Sequence, residues 1–75
     1  MSPKPTRVTN QIRTLRSQAD GMTQADLANR LGVTRQTVIA IEQGRYSPSL
    51  ELAFQIARIF DRPLDAVFQY DAPPG

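Results

Sequence analysis

Arg35, Gln36 and Thr37 stand side by side in the chain, and Ala40 follows about one helical turn later. Theirs is the chemistry of recognition. A glutamine amide donates and accepts at once, a guanidinium presents parallel N–H groups, threonine offers a methyl beside its hydroxyl, and alanine lets a surface come close. Bond-making chemistry has little to work with. The 75 residues include no histidine and no cysteine, so the commonest general base and metal ligand, any thiolate and any disulfide are all missing. There is no glycine-rich phosphate loop, and Asp61 and Asp65 read as surface charge. The expectation is a protein that is not an enzyme and holds no cofactor or metal.

The elements that must position these side chains are written in the run Gln24 to Gln43. Leu27, Ala28 and Leu31 share one face of a first helix, Gly32 breaks it, Val33 re-enters the core, and Val38 and Ile41 share one face of a second. Ala28 is small where the second helix must cross closely. Gly32 supplies the positive φ that a chain reversal needs. Thr34 caps the second helix. Thr23 caps the first, with Asp26 three residues on as the acidic member of a capping box. Two caps, a glycine, a small residue and five spaced apolar positions agree on a helix-turn-helix, the arrangement that carries a recognition helix into DNA.

An α-helix in the major groove presents its N-terminal side chains to base edges, which makes Arg35, Gln36, Thr37 and Ala40 the candidate base contacts. Gln36 can bond adenine N6 and N7. Arg35 can grip guanine O6 and N7 or a phosphate, Thr37 can offer its methyl to thymine, and Ala40 permits close approach. Ile39 is expected to pack under the Arg45 to Pro48 loop, with contact to thymine methyls as the alternative. Phosphate contacts should flank this head: Gln24 at the start of the preceding helix, Thr34, and Arg45 and Tyr46 beyond Gly44. Tyr46 is as well suited to packing on the next helix. Glu42, acidic and close to the DNA face, is expected to pair with an arginine.

The run LANRLGVTRQTVIAIEQGRYSPSLELAFQIARIF resembles the XRE family, the Cro and phage-repressor type of bacterial transcription regulators. The likeness extends from about Ile12 to Phe68 and is most specific in LGVTRQTV, IEQGRYSPSLE and PLDAVF. It implies an all-α, compact five-helix, lambda-repressor-like domain whose third helix, about residues 35–43, enters the major groove, usually in a homodimer. It also implies a base-reading glutamine at Gln36, and backbone-holding loop residues at Arg45 and Tyr46. In small members of the family the arm and tail can pair as strands, and Arg7 to Thr9 and Phe68 to Tyr70 have suitable composition.

Charge and length add bounds. Residues 1–45 carry seven basic side chains against three acidic ones, and residues 46–75 carry two against four. The basic half holds the reading head. One domain is expected at residues 9–70, with an N-terminal arm at 1–8, stiffened by Pro3 and Pro5, and a C-terminal tail at 71–75. Its helices should run from Asn10 to Ala19, then through the two described above, then from Ser49 to Phe60 with Leu50, Ala53, Ile56, Ala57 and Phe60 inward, and finally from Leu64 to Phe68. No apolar run is long enough to span a membrane and no signal peptide is visible, so a cytoplasmic protein is expected.

A chain this small buries only about 60 per cent of its unfolded surface. Phe54, Ile59, Leu64, Val67, Phe68 and Tyr70 are more apolar surface than such a core needs at its C-terminal end, and Phe54, Ile59, Leu64, Phe68 and Tyr70 are therefore the expected dimer interface. A two-fold dimer would set two recognition helices about 34 Å apart and call for a near-palindromic operator. The leading expectation is a sequence-specific regulator of double-stranded DNA, in the first instance a repressor. The rival is an antitoxin-type interaction module that holds a protein partner while its helix-turn-helix serves autoregulation.

Overall fold

The computed structural model describes residues 6–45 and 47–71. Among them the chain runs β1 (Val8–Asn10), α1 (Ile12–Gln18), α2 (Gln24–Leu31), α3 (Arg35–Glu42), α4 (Leu50–Ile59), α5 (Leu64–Val67) and β2 (Phe68–Tyr70). Five helices and a terminal strand pair are thus present. β1 and β2 run antiparallel, with Val8 opposite Tyr70, Thr9 opposite Gln69 and Asn10 opposite Phe68. Pro3 and Pro5 of the expected arm, and all but Asp71 of the expected tail, lie outside the described residues.

Each helix boundary has a local cause. Thr23 Oγ1 accepts the Asp26 N–H at 3.0 Å while Asp26 Oδ2 accepts the Thr23 N–H at 3.0 Å, which completes the capping box. Thr34 Oγ1 accepts from the Thr37 N–H and Ser49 Oγ from the Leu52 N–H. Gly32, at φ 73°, closes α2, and Val33 N–H returns to the Ala28 carbonyl. The end of α3 repeats the device: Gly44 has φ 70°, and Arg45 N–H returns to Ala40.

The first helix begins later than its sequence suggests. Asn10 belongs to β1, because strand pairing continues through Gln11, whose N–H donates to the Val67 carbonyl at 2.9 Å. Asn10 then serves both sides of the junction: its Oδ1 accepts the Ile12 N–H at 3.2 Å and its Nδ2 donates to the Ile41 carbonyl at 2.8 Å.

Ile12, Met22, Leu27, Ala28, Val38, Ile41, Ile56, Ala57 and Val67 form the core. α2 and α3 pack directly on each other, with Leu27 and Ala28 facing Val38 and Ile41 inside it. Two expectations are corrected. Leu50 is 66% exposed, because the first turn of α4 projects past the core, where Leu50 lines a surface groove with Pro48, Leu64 and Phe68. Val67 is fully buried beneath the strand junction and belongs to the core, not to the surplus apolar surface.

Candidate nucleic-acid interface

The amphipathic logic of α3 separates two roles. Val38 and Ile41 anchor it in the core, while Arg35 and Gln36 are exposed and bonded to no described residue. Thr37 is half-buried, and its hydroxyl lies 3.0 Å from that of Thr34, so the cap also holds the Thr37 side chain. Ala40 and Ile39 are half-buried on the turns behind. Arg45 is exposed just past Gly44, and Tyr46 lies outside the described residues.

An ion pair fixes how α3 sits against the rest. Arg16 of α1 reaches Glu42 at the end of α3 with Nε to Oε2 at 2.6 Å and Nη2 to Oε1 at 3.0 Å, and its Nη1 donates to the Met22 carbonyl at 2.9 Å. The two side chains are only 14% and 8% exposed. Bidentate geometry and the third bond offset the desolvation that burial imposes on both charges. Glu42 is therefore neutralised where it would otherwise repel a phosphate backbone, and the sequence expectation of an arginine partner is met by Arg16.

Gln24 has a second task that its position in the sequence does not reveal. Its Nε2 donates to Glu42 Oε1 at 3.2 Å, which draws the first residue of α2 into the same network and leaves it half-buried. One open groove is lined by Gln24, Arg35, Glu42 and Gln43 together with Arg13 and Ser17 of α1. The fold thus brings Gln24 and Arg35 together, whereas Thr34, Gln36 and Arg45 are outside the groove lining. Arg13, Ser17 and Gln43 were not singled out by sequence. The signal for Arg13 is its place one turn before Arg16 on α1.

At the start of α2, the Thr23 backbone N–H and then its hydroxyl hold the Asp26 carboxyl below its ordinary value, with Arg30 adding a smaller pull in the same direction. The carboxylate stays charged at the positive end of the α2 dipole.

Comparison with known proteins places this arrangement. Residues 12–67 match the helix-turn-helix family pattern. An uncharacterized HTH-type transcriptional regulator of Methanocaldococcus jannaschii is 56% identical over 50 residues, covering 67% of this chain and 76% of its own. One from Bacillus subtilis is 46% identical over 59 residues, covering 79% and 88%. The cryptic phage CTXphi transcriptional repressor of Vibrio cholerae is 36% identical over 55 residues, covering 73% of this chain and 49% of the repressor. The relatives thus span archaea as well as bacteria. A crystal structure of a Bacteroides fragilis protein, described as DNA-binding, shares the fold at a TM-score of 0.73 and 18% identity, covering 83% of this chain and 98% of that one.

Proposed function

The chain belongs to the XRE-type helix-turn-helix family of DNA-binding transcriptional regulators and is not an enzyme, and from that premise we propose that it represses by occupying a near-palindromic operator as a homodimer. The observation that carries the reading is the division of α3: Val38 and Ile41 are buried to fix the helix, while Arg35 and Gln36 stand exposed and without a described partner in its first turn. Side chains so placed meet base edges when the helix enters the major groove.

In this reading Gln36 bonds adenine, Arg35 bonds guanine or a phosphate, and Thr37 turns its methyl toward thymine, since its hydroxyl is already shared with Thr34. Ala40 allows close approach. Gln24, Thr34, Arg45 and Tyr46 hold phosphates and set register. For Gln24 the tie to Glu42 fixes the side chain, so the α2 N-terminus meets the backbone in one geometry. The second copy covers the C-terminal face, where Phe54 and Tyr70 are exposed and Ile59, Leu64 and Phe68 are partly so. Repression follows from occlusion, because a bound dimer excludes other proteins from the same DNA. No helix among the described residues is long and apolar enough to cross a membrane, and the reading puts the protein in the cytoplasm with its DNA.

The test is selection of bound duplexes from a random pool, followed by footprinting on the recovered sequence. A two-fold symmetric site with half-sites about one helical turn apart is expected, and a reporter placed behind it should fall on expression of the protein. An asymmetric site filled by one chain would contradict the dimer, and unselective recovery would contradict sequence reading.

A further inference from the structure

The two edges of the small sheet are treated differently. Asp71 N–H bonds the Arg7 carbonyl and Gln11 N–H bonds the Val67 carbonyl. With the register of the pair, this makes Thr9 and Gln69 the residues that exchange backbone bonds, while Val8, Asn10, Phe68 and Tyr70 point their backbone groups outward. On the β1 side that outward edge is covered. Val8 N–H bonds Thr6 Oγ1, the turn at Gly44 lies beside the Val8 carbonyl, and the Asn10 side chain ties the strand to the Ile41 carbonyl at the end of α3. On the β2 side it is open: the Phe68 N–H is used by the Leu64 carbonyl, but no described residue bonds the Phe68 carbonyl or the Tyr70 N–H.

Open strand edges in native proteins are ordinarily blunted by charge, proline or a bulge. Val67 to Tyr70 carries none of these. A mainly apolar groove lined by Val8, Leu64, Phe68 and Tyr70, with Asp65 and Gln69 also in its lining, runs beside the same edge, and Tyr70 is 67% exposed.

We infer that the outer edge of β2 pairs antiparallel with β2 of a second copy, about a two-fold axis at Gln69. This rests on the homodimer reading and specifies its interface. The edge is complementary to itself. With Gln69 on the axis, each Tyr70 N–H meets the Phe68 carbonyl of the other copy, so one donor and one acceptor per chain satisfy each other twice. The same register sets Phe68 opposite Tyr70, an aromatic cross-strand pair, and brings the two apolar grooves together. The sheet then has four strands, and the Asn10 bond to Ile41 ties it to the C-terminal end of α3. The dimer contact thereby sets the separation and tilt of the two recognition helices.

Tyr70→Pro is the decisive variant, because it deletes an N–H that the single chain does not use, and proline is tolerated at an open edge. Gln69→Pro is its counterpart, since that N–H belongs to the β1 ladder and its loss should unpair the sheet. Sedimentation equilibrium at micromolar concentrations, with circular dichroism as the check on folding, is expected to show wild-type dimer and folded, monomeric Tyr70→Pro, with self-association weakened about ten- to a hundredfold. Amide exchange on the wild type supplies a readout that needs no variant: Tyr70 N–H protection should fall on dilution while Gln69 N–H stays protected. A Tyr70→Pro chain that still dimerises, or a Tyr70 amide that exchanges freely in the dimer, overturns the edge pairing but leaves a dimer of another kind. A wild-type chain that is monomeric both free and on its selected duplex overturns the pairing and the homodimer together.

Discussion

The half of the molecule that ends at Gly44 and the half that follows it solve opposite surface problems. In the first, the turn around α2 and α3 is closed by a capping box, a threonine cap, a glycine and an ion pair, and the side chains exposed in the first turn of α3, Arg35 and Gln36, are polar. In the second, α4 is capped as well, but every large apolar side chain exposed among the described residues is found there, Leu50 at 66%, Phe54 at 49% and Tyr70 at 67%. A surface that leaves hydrogen-bonding groups free suits a partner with a hydrogen-bonding edge, and one that leaves apolar groups free suits a partner that can bury them. The contrast fits the proposed reading, in which DNA meets one side and a second copy the other.

The strongest way to break that contrast is to unlock the reading half from within. Glu42→Ala leaves Arg16 charged and mostly buried without its carboxylate, and frees Gln24 as well. A loss of about 3 to 5 kcal/mol in urea or thermal unfolding is expected, a large share of what so small a domain has. Replacing both partners at once, by Arg16→Met with Glu42→Leu, should cost much less, because no charge is then stranded. Equal losses in the single and double variants would show that the pair is not what holds α3 in place.

How much of this was legible follows the reach of each interaction along the chain. The caps of α2, α3 and α4 and the glycine closures operate over three or four residues, so Thr23, Asp26, Gly32, Thr34, Gly44 and Ser49 could be read directly and behave as read. The Arg16 to Glu42 pair joins residues 26 apart, and Asn10 to Ile41 residues 31 apart. Helical periodicity carries no information about which arginine meets which acid, or which end of a helix overhangs the core. That is why Glu42 was expected to pair but not with whom, and why Leu50 was assigned inward. The exposed row on α3 was legible by subtraction once Val38 and Ile41 were placed in the core. The second task of Gln24 was not, because it depends on where Glu42 arrives in space.

Smaller changes sharpen the comparison without dismantling it. Thr34→Ala removes the α3 cap and the hydroxyl that holds Thr37, and should lower stability by about 1 kcal/mol, with operator affinity falling further than stability if the cap also holds a phosphate. On the other half, Phe54→Ser removes an exposed side chain from its own chain's surface, so unfolding of the single chain should move by no more than about 0.5 kcal/mol. A large loss measured on dilute protein would place Phe54 in the fold after all.

The smallest effect concerns pH. The Asp26 carboxyl is lowered from its ordinary 3.8 by the Thr23 backbone N–H, the Thr23 hydroxyl and Arg30. Its contribution is therefore complete above that ordinary value and is lost as pH falls through the lower folded value. The difference in melting temperature between wild type and Asp26→Asn should be constant near neutrality and shrink below about pH 3.8. A difference that grew on acidification would reverse the sign of the coupling.

The central claim is that the exposed first turn of α3 reads sequence while the rest of the chain holds it still. It is tested most directly by measuring affinity of wild type and Gln36→Ala for the selected duplex and for a scrambled one of equal length, at two salt concentrations. Gln36→Ala is expected to bind the selected duplex about ten- to a hundredfold more weakly, to melt at the wild-type temperature, and to keep both its affinity for scrambled DNA and its salt slope. Equal loss on both duplexes, or no loss on either, would contradict base reading by Gln36 and move the source of specificity elsewhere on the molecule.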